Sequence, residues 1–438
     1  MLIEPKVLKG FRDFLPEKEM QRKKIIRILE KTFENFGFQP IDTPVLEYKE
    51  VLLGKGGGET DKQVYAFKDN GKRDVALRFD LTVPFARFMA AHINELVLPF
   101  KRYHINKVWR GENAQKGRYR EFIQCDFDIV GIDNSSADFE ILHIMHNSFK
   151  SMGVDNITIK IAHRGIFNNF LEYINASEKA VEIMRTVDKI SKIGKNKVFE
   201  ILTELTNTGS AEKILDYIQP GKNFSDTLKK ITAMSGGKSE ASDRLYEVYE
   251  YMKETGIVNL FVLDPSITRG LDYYTGIVYE TFLNDLPGLG SVCSGGRYNN
   301  LASVYTKKEL PGVGSSIGLD RLMAGLEELG LLGKKINETG VIILNMDQSL
   351  QAHYHKMASI IRDSGLPCEV YLNNKKLGNQ FSFAEKKGIS YAILCGTDEY
   401  STNTVTLKNL LTRENHNKIA IEDAIQFIKN DKIVENNE

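Results

Sequence analysis

Apolar residues recur at helical spacing near the start of the chain. Ile25, Leu29, Phe33 and Phe36 sit among Lys, Arg and Glu, which predicts an amphipathic helix over residues 17–36, ended by Gly37. The stretch FQPIDTPVLE cannot continue it, because Pro40 and Pro44 favour extended backbone. Residues 100–131 read as two strands around the polar loop ENAQKG. SSADFEILHIMHNSFKSMG reads as a helix with Ser135 and Asp138 as a capping box and Gly153 as its stop. From 172 to 255 the runs are helical, separated by Gly, Asn and Pro, and strands resume afterwards, so this block reads as a helical insertion. Two later stretches carry the strand pattern. ITRGLDYYTGIVYE is expected to be extended from Leu271 to Phe282, and the small-residue strand GVGSSIG leads into a helix. Beyond the polar linker LLGKKINETG, the segments VIILNMD, CEVYL, YAILCG and TVTLKNL alternate with helical stretches as a separate α/β domain.

The organisation expected is therefore α+β. A core runs over residues 1–171 and 256–329, interrupted by the insertion 172–255 and followed by the α/β domain 338–438. With 438 residues, 42% hydrophobic and 26% charged, the composition is that of an ordinary soluble globular protein of two or three domains. No apolar run has the length of a membrane span, and the first residues have no signal or transit character, so a cytoplasmic protein with no membrane role is expected. Cys125, Cys293, Cys368 and Cys395 are scattered, which argues against a zinc site or a disulfide framework. His143 and His146 lack a third ligand nearby and read as packing residues. Net charge is zero, so only local patches can speak for a polyanionic partner.

One such patch is pronounced. Residues 101–120 hold seven Lys or Arg and one acid, Glu112, whereas residues 121–140 hold six acids and no Lys or Arg. In GRYREFIQCDFDIVG, strand alternation puts Ile123, Cys125, Phe127 and Ile129 on one face. Arg118, Arg120, Phe122, Gln124, Asp126 and Asp128 fall on the other. That face runs from cationic through aromatic to amide and carboxylate, a gradient suited to ATP beside an amino acid, since guanidinium forks match phosphate oxygens. Cross-strand ion pairs within the hairpin are the plainer alternative. Arg110 and Glu112 share one face of the preceding strand, where an arginine can hold an α-phosphate and a carboxylate a base edge or a metal. The small residues Gly312, Gly314, Ser315, Ser316 and Gly318 would let a planar ligand approach the backbone, with Arg321 over its ring. Close helix–strand packing explains the same pattern. GKGGGETDK lacks phosphate-loop spacing, and Gly56 to Gly58 read as a mobile connection.

The order of these elements resembles the three signature motifs of class II aminoacyl-tRNA synthetases, and more specifically the histidyl-tRNA synthetase family. KGFRDFLPE, LRFDLTVPFAR, WRGENAQKGRYREFIQCDFDIVG, RGLDYYTG, SGGRY and GSSIGLDRL carry it, and KLGNQFSFAEKKG with TVTLKNL extends it to an anticodon-binding domain. The resemblance implies an antiparallel-sheet catalytic domain, and activation of L-histidine with ATP followed by transfer to the 3′ end of tRNA(His). It assigns Arg110 to the α-phosphate and the histidine carboxylate, and Arg269 to the α-phosphate transition state. Arg118 and Arg120 would face the outer phosphates, and Phe122 and Arg321 would enclose adenine. Asp80, Thr82 and Gln124 would hold the α-amino group, Asp128 and Tyr274 the imidazole, and Tyr273 would line the pocket. Asn113 and Gln115 would meet the tRNA acceptor end. Mg²⁺ would accompany ATP, with no metal assigned to protein ligands, and a homodimer is implied. Strict alternation would put Arg269 and Tyr274 on opposite faces, so a bend at Gly270 is expected. One departure stands out: the family usually has aspartate after GGRY, and here it is Asn299. The rival reading is a paralogue that does not aminoacylate and serves as a regulatory subunit of ATP phosphoribosyltransferase. Retention of Arg269 and of the last domain argues against it.

Overall fold

The computed structural model describes residues 2–54, 63–113, 117–268, 274–332 and 339–435. The chain divides into two compact units, one of Met1–Asp13 with Lys24–Leu332 and one of Phe14–Lys23 with Gly333–Glu438.

The first unit is built on β1 (Gln39–Pro40), β2 (Leu46–Tyr48), β3 (Ala66–Lys68), β4 (Asp74–Leu77), β5 (Phe100–Trp109), β6 (Glu121–Val130), β7 (Ile157–His163), β8 (Phe261–Leu263), β9 (Ile277–Leu283), β10 (Cys293–Arg297) and β11 (Gly312–Gly318). Eight form one sheet in the order β1-β5-β6-β11-β10-β9-β7-β8, and β2-β4-β3 form a small one. All pairings from β5 to β7 are antiparallel, and only the outermost strands β1 and β8 join in parallel. The antiparallel sheet expected from sequence is present. Its centre is the pair β6–β11, with Gly314 opposite Asp128, Ser316 opposite Asp126 and Gly318 opposite Gln124.

Strand β6 shows why the sequence alternates. Ile123, Cys125, Phe127 and Ile129 enter the main core, together with Ile25, Leu29 and Phe33 of the helix Pro16–Asn35 and Ile141 and Met145 of the helix Ser135–Ser151. Phe33 is fully buried, with ring centroids 4.9 Å from Phe127 and 5.6 Å from Tyr103. The opposite face of β6 carries Gln124, Asp126 and Asp128, all buried as well. This sheet is therefore covered on both sides, apolar on one and polar on the other.

The helix Ser135–Ser151 starts differently from its sequence reading. Asn134, not Ser135, is the N-cap, and its side chain accepts from the Ala137 amide at 2.9 Å. Ser135 and Asp138 are thereby released for other partners. His143 packs against Phe36 and Phe139, as a packing residue should. Residues 180–254 are helical among the described residues, in six segments between Ala180 and Glu254. Three of them begin at Asn207, Asn223 and Ser239, whose side chains each accept from a backbone N–H three residues on. The polar separators in the sequence are thus helix caps.

Among the described residues of ITRGLDYYTGIVYE, the strand begins at Ile277. Thr275 lies outside the strand but donates its N–H to the Arg297 carbonyl at 2.7 Å. Residues 269–273, including Arg269, the bend expected at Gly270 and Tyr273, lie outside the described residues, as do Gln115 and Gly56 to Gly58.

The second unit carries a five-stranded sheet of β12 (Val341–Ile343), β13 (Cys368–Val370), β14 (Tyr391–Leu394), β15 (Val405–Asn409) and β16 (Asn415–Ile419), ordered β13-β12-β14-β15-β16. Strand β12 runs parallel to both neighbours, and β14, β15 and β16 are antiparallel. Helices cover it, among them Gln351–Asp363 and Leu377–Lys386.

Replacing Phe33 by alanine empties the point where helix and sheet meet. Phe33→Ala is expected to cost about 3–5 kcal/mol and Phe33→Leu clearly less. Trp109, the single tryptophan, sits at the end of β5 and reports urea unfolding of this unit by fluorescence. An unmoved transition in the alanine variant would contradict the central position given to this ring.

Candidate active site

Where β5 ends and β6 begins, the chain opens a cleft of about 160 Å³. Arg110, Glu112, Arg118, Phe122, Gln124 and Arg321 line it, with backbone or small side chains of Ser291, Ser316 and Gly318 between them. Six of the residues expected to meet ATP or histidine are therefore brought to one place by three separate segments. Arg110 is steered by its Nε, which donates to the Phe79 carbonyl at 2.9 Å, and its guanidinium lies 5.2 Å from the centre of the Phe122 ring. Arg321 stands in the first turn of the helix Leu319–Glu328 and donates to the Ser291 carbonyl at 2.6 Å. Arg118 lies 3.8 Å from the Glu112 carboxylate. The helix bearing Arg321 is pinned through Asp320, which accepts the Ile123 backbone N–H at 2.7 Å and pairs with Arg12. Arg12 in turn lies over the Tyr119 ring, 3.2 Å from its centre.

Arg120 is not brought into the cleft. Its guanidinium donates to the carbonyls of Glu112 at 3.1 Å and Lys9 at 3.4 Å, and its stem lies over Gly10. The physical reason is local. Strand β6 starts at Glu121, so its alternation does not reach back through the turn at 117–120, and Arg118 and Arg120 part company. Asn113 is exposed beside residues 114–116, which are outside the described set.

Below the cleft the polar face of β6 becomes a buried carboxylate group. Arg102, fully buried on β5, stands directly across the strand pair from Asp128 and meets it at 2.7 Å, with Asp126 at 3.9 Å and the Phe85 ring 4.2 Å away. Asp128 also accepts from the Tyr298 hydroxyl. Asp126 accepts from the Thr82 hydroxyl at 3.4 Å. Asp80 accepts the Val83 amide at 3.1 Å through one oxygen. Its other oxygen, and the Gln124 side-chain oxygen, are buried acceptors with no hydrogen-bond partner among the described residues. Gln124 donates through its nitrogen to Ser316 at 2.9 Å. Burial pushes the Asp80 carboxyl up to about 7, against the pull of the Val83 amide and Arg110. Burial likewise lifts Asp128 to about 6, against Arg102, with Asp126 adding to the rise.

The glycines of β11 make room for these groups rather than for a ligand alone. A Cβ at Gly314 would sit 1.9 Å from an Asp128 carboxylate oxygen, and one at Gly312 would sit 2.4 Å from the Tyr298 ring. Tyr274 flanks the same group, since a Cβ at Gly296 would meet its ring at 3.0 Å, and its carbonyl accepts from Arg164 at 3.1 Å. Arg102 and Tyr298 are partners that the sequence reading did not assign. Tyr298 was legible only as part of SGGRY, and Arg102 only as one of seven cations.

The block of bases followed by acids thus has two explanations at once. Lys101–Glu140, Arg102–Asp128 and Lys107–Glu121 are pairs internal to the fold. Arg110, Arg118 and Arg321 line the cleft instead.

A model of the histidyl-tRNA synthetase family matches residues 10–322, and a model of anticodon-binding domains matches residues 338–431. A histidine–tRNA ligase of Treponema denticola is 50% identical over 403 residues, covering 91% of this chain and 90% of that protein. One of Helicobacter hepaticus is 43% identical, covering 98% and 99%. The crystal structure of a histidyl-tRNA synthetase from Nostoc superposes with a TM-score of 0.87 at 32% identity, covering 98% of this chain and all of that one. With its antiparallel sheet, its cationic cleft and these likenesses along nearly its whole length, the chain belongs to the histidyl-tRNA synthetase family.

Proposed function

We propose that the chain joins L-histidine to the 3′ end of tRNA(His) in two steps. The histidine carboxylate attacks the α-phosphorus of ATP, forming histidyl-adenylate and releasing pyrophosphate. A hydroxyl of the terminal adenosine then attacks the activated carbonyl, and AMP leaves. What carries this reading is a pair of buried acceptors without partners among the described residues, Gln124 in the arginine-lined cleft and Asp80 near Arg110. An ammonium group supplies the donors those acceptors lack, and burying them without such a partner is costly.

In this reading Asp80, Thr82 and Gln124 hold the α-amino group. Asp128 and Tyr274 hold the imidazole, with Tyr273 along the wall. Arg110 bridges the histidine carboxylate and the α-phosphate, and Arg269 neutralises charge as the phosphorus becomes five-coordinate. Arg118 takes the outer phosphates, and adenine lies between Phe122 and Arg321. Arg120 supports the Glu112 backbone, which places the Glu112 carboxylate near the nucleotide. No bond to the protein is made, so positioning and charge neutralisation supply the rate. Mg²⁺ would accompany ATP as part of the substrate. Glu112 is the cleft carboxylate suited to assist it, because Asp320 is already bound to Arg12 and the Ile123 amide. The second unit binds the anticodon, Asn113 and Gln115 approach the acceptor end, and the active form is a cytoplasmic homodimer. No helix among the described residues is long and apolar enough to cross a membrane.

The purified chain is expected to exchange pyrophosphate with ATP in the presence of histidine and of no other amino acid. Absence of exchange by a folded, histidine-binding protein would favour the regulatory paralogue. Arg269→His should leave histidine affinity within about tenfold while slowing adenylation by roughly 100-fold or more, the scale of one lost transition-state donor. Equal losses in binding and rate would contradict that role.

The raised Asp80 carboxyl gives a pH dependence of known sign. Above about 7 it is ionised and accepts an ammonium; below, it takes up a proton and does not. The kcat/KM for histidine should therefore fall as the pH is lowered through about 7. At saturating histidine the limb in kcat should move to lower pH, because the bound cation favours the ionised carboxylate. A limb at the same pH under both conditions would argue against Asp80 as the ammonium partner.

A further inference from the structure

Behind the carboxylate group lies a closed ring of charge that the proposed chemistry does not use. Arg297, the last residue of β10, places its Nε 2.8 Å from one oxygen of Asp138. The other Asp138 oxygen lies 2.6 Å from Nε of Arg244. Arg244 reaches one oxygen of Asp133 at 2.5 Å, and the same oxygen lies 3.2 Å from Arg297. Two arginines and two aspartates thus alternate around a ring with no net charge. Asp138 and Arg297 are almost wholly buried, Arg244 is largely so, and Asp133 forms the open corner. Asn299 closes that corner, donating to the second Asp133 oxygen at 2.6 Å and accepting from Arg297 at 3.2 Å. The buried His163 is held well below its ordinary range, at about 3, by burial and by the charges of Arg244 and Arg297, so it adds no third positive charge.

The two aspartates flank the start of one helix, and the two arginines come from two other segments. Asp138 lies in the first turn of the helix Ser135–Ser151, and Arg244 belongs to the insertion helix Glu240–Glu254. Arg297 sits on the sheet between two parts of the histidine pocket. Its carbonyl accepts the Thr275 amide at 2.7 Å, next to Tyr274, and its side chain lies under Gly276, where a Cβ would meet it at 3.2 Å. Its neighbour in sequence, Tyr298, bonds Asp128. A shift of Arg297 moves both the Tyr274 and the Tyr298–Asp128 walls. A multiply paired, buried guanidinium resists such a shift, because displacement breaks charge-assisted bonds.

We infer that Arg244 of the helical insertion is a positioning residue for the histidine site, acting through Asp138 and Arg297 on Tyr274, Tyr298 and Asp128. The inference rests on the proposed reaction. It makes the insertion part of amino-acid recognition, about which the sequence was silent. Among the described residues, the ion pairs of Arg244 are with Asp133 and Asp138, neither of which is assigned to ATP.

The test is steady-state pyrophosphate exchange with full-length Arg244→Gln, Arg244→Lys and unsubstituted protein. Arg244→Gln is expected to raise KM for histidine by about tenfold or more, the scale of a binding wall left loose, while KM for ATP stays within about twofold. Arg244→Lys, which keeps the charge but not the fork, should recover part of the loss. A general weakening of the fold would move both KM values together, and that outcome, or an unmoved histidine KM, overturns the inference alone. No exchange by the unsubstituted protein overturns the reaction and the inference together. Should Arg244→Gln fail to fold, Asp133→Asn at the half-exposed corner gives the same readout, with the same selective rise in histidine KM expected.

Discussion

Strand β6 faces two environments that tolerate no exchange. Its odd residues are sealed in an apolar core, and its even residues form a buried polar surface of amide and carboxylates. A slip of one residue against β5 or β11 would send Asp126 and Asp128 into the core and Phe127 toward the cleft. The register is therefore fixed by the cost of burying charge without partners. Once it is fixed, Gly314 must oppose Asp128, since no other residue leaves space for the carboxylate, and Arg102 must oppose it on the other side. The site's geometry follows from one strand having no freedom to move.

That constraint also sets the site's electrostatics. Three carboxylates, Asp80, Asp126 and Asp128, are buried near Arg102 and Arg110, and in each burial outweighs the favourable charges. Breaking a buried pair by removing one partner is far costlier than never forming it, so Arg102 is better seen as what permits the aspartates than as a net source of stability. In the proposed reaction, the ammonium group and ring N–H groups of histidine would be the donors for the remaining acceptors. The arginines line a more open cleft above, where the proposed reaction would put the phosphates. Cationic and anionic side chains lie side by side because Arg118 stands just before β6 and the strand itself carries Gln124, Asp126 and Asp128.

Much of this was legible in the sequence, and the gaps have physical causes. Alternation in FIQCDFDIV gave the correct face for every residue from Ile123 to Ile129, because a strand with one apolar side obeys period two strictly. The same rule failed at Arg120, where the strand has not yet begun. It also overextended the strand before Ile277, since Tyr274 and Thr275 are strand-favouring residues held as a loop on the Arg297 carbonyl. The capping reading of Ser135 and Asp138 missed Asn134 one position earlier, and with it the distant partners Glu247 and Arg244. Arg102, Tyr298 and Arg244 could not be assigned roles, because their partners lie 26 to 170 positions away in sequence and are chosen by sheet register and helix packing.

Asn299 shows how a local departure can be read once its surroundings are known. An aspartate there would face Asp133 across a hydrogen-bond distance and set three carboxylates against two arginines in a ring that is now neutral. The amide has a donor for Asp133 and an acceptor for Arg297, so it satisfies both neighbours without adding charge. The negative charge at this corner is carried by Asp133 alone. Asn299 is thus consistent with an intact ring, and the anchorage of β10 needs no carboxylate at this position.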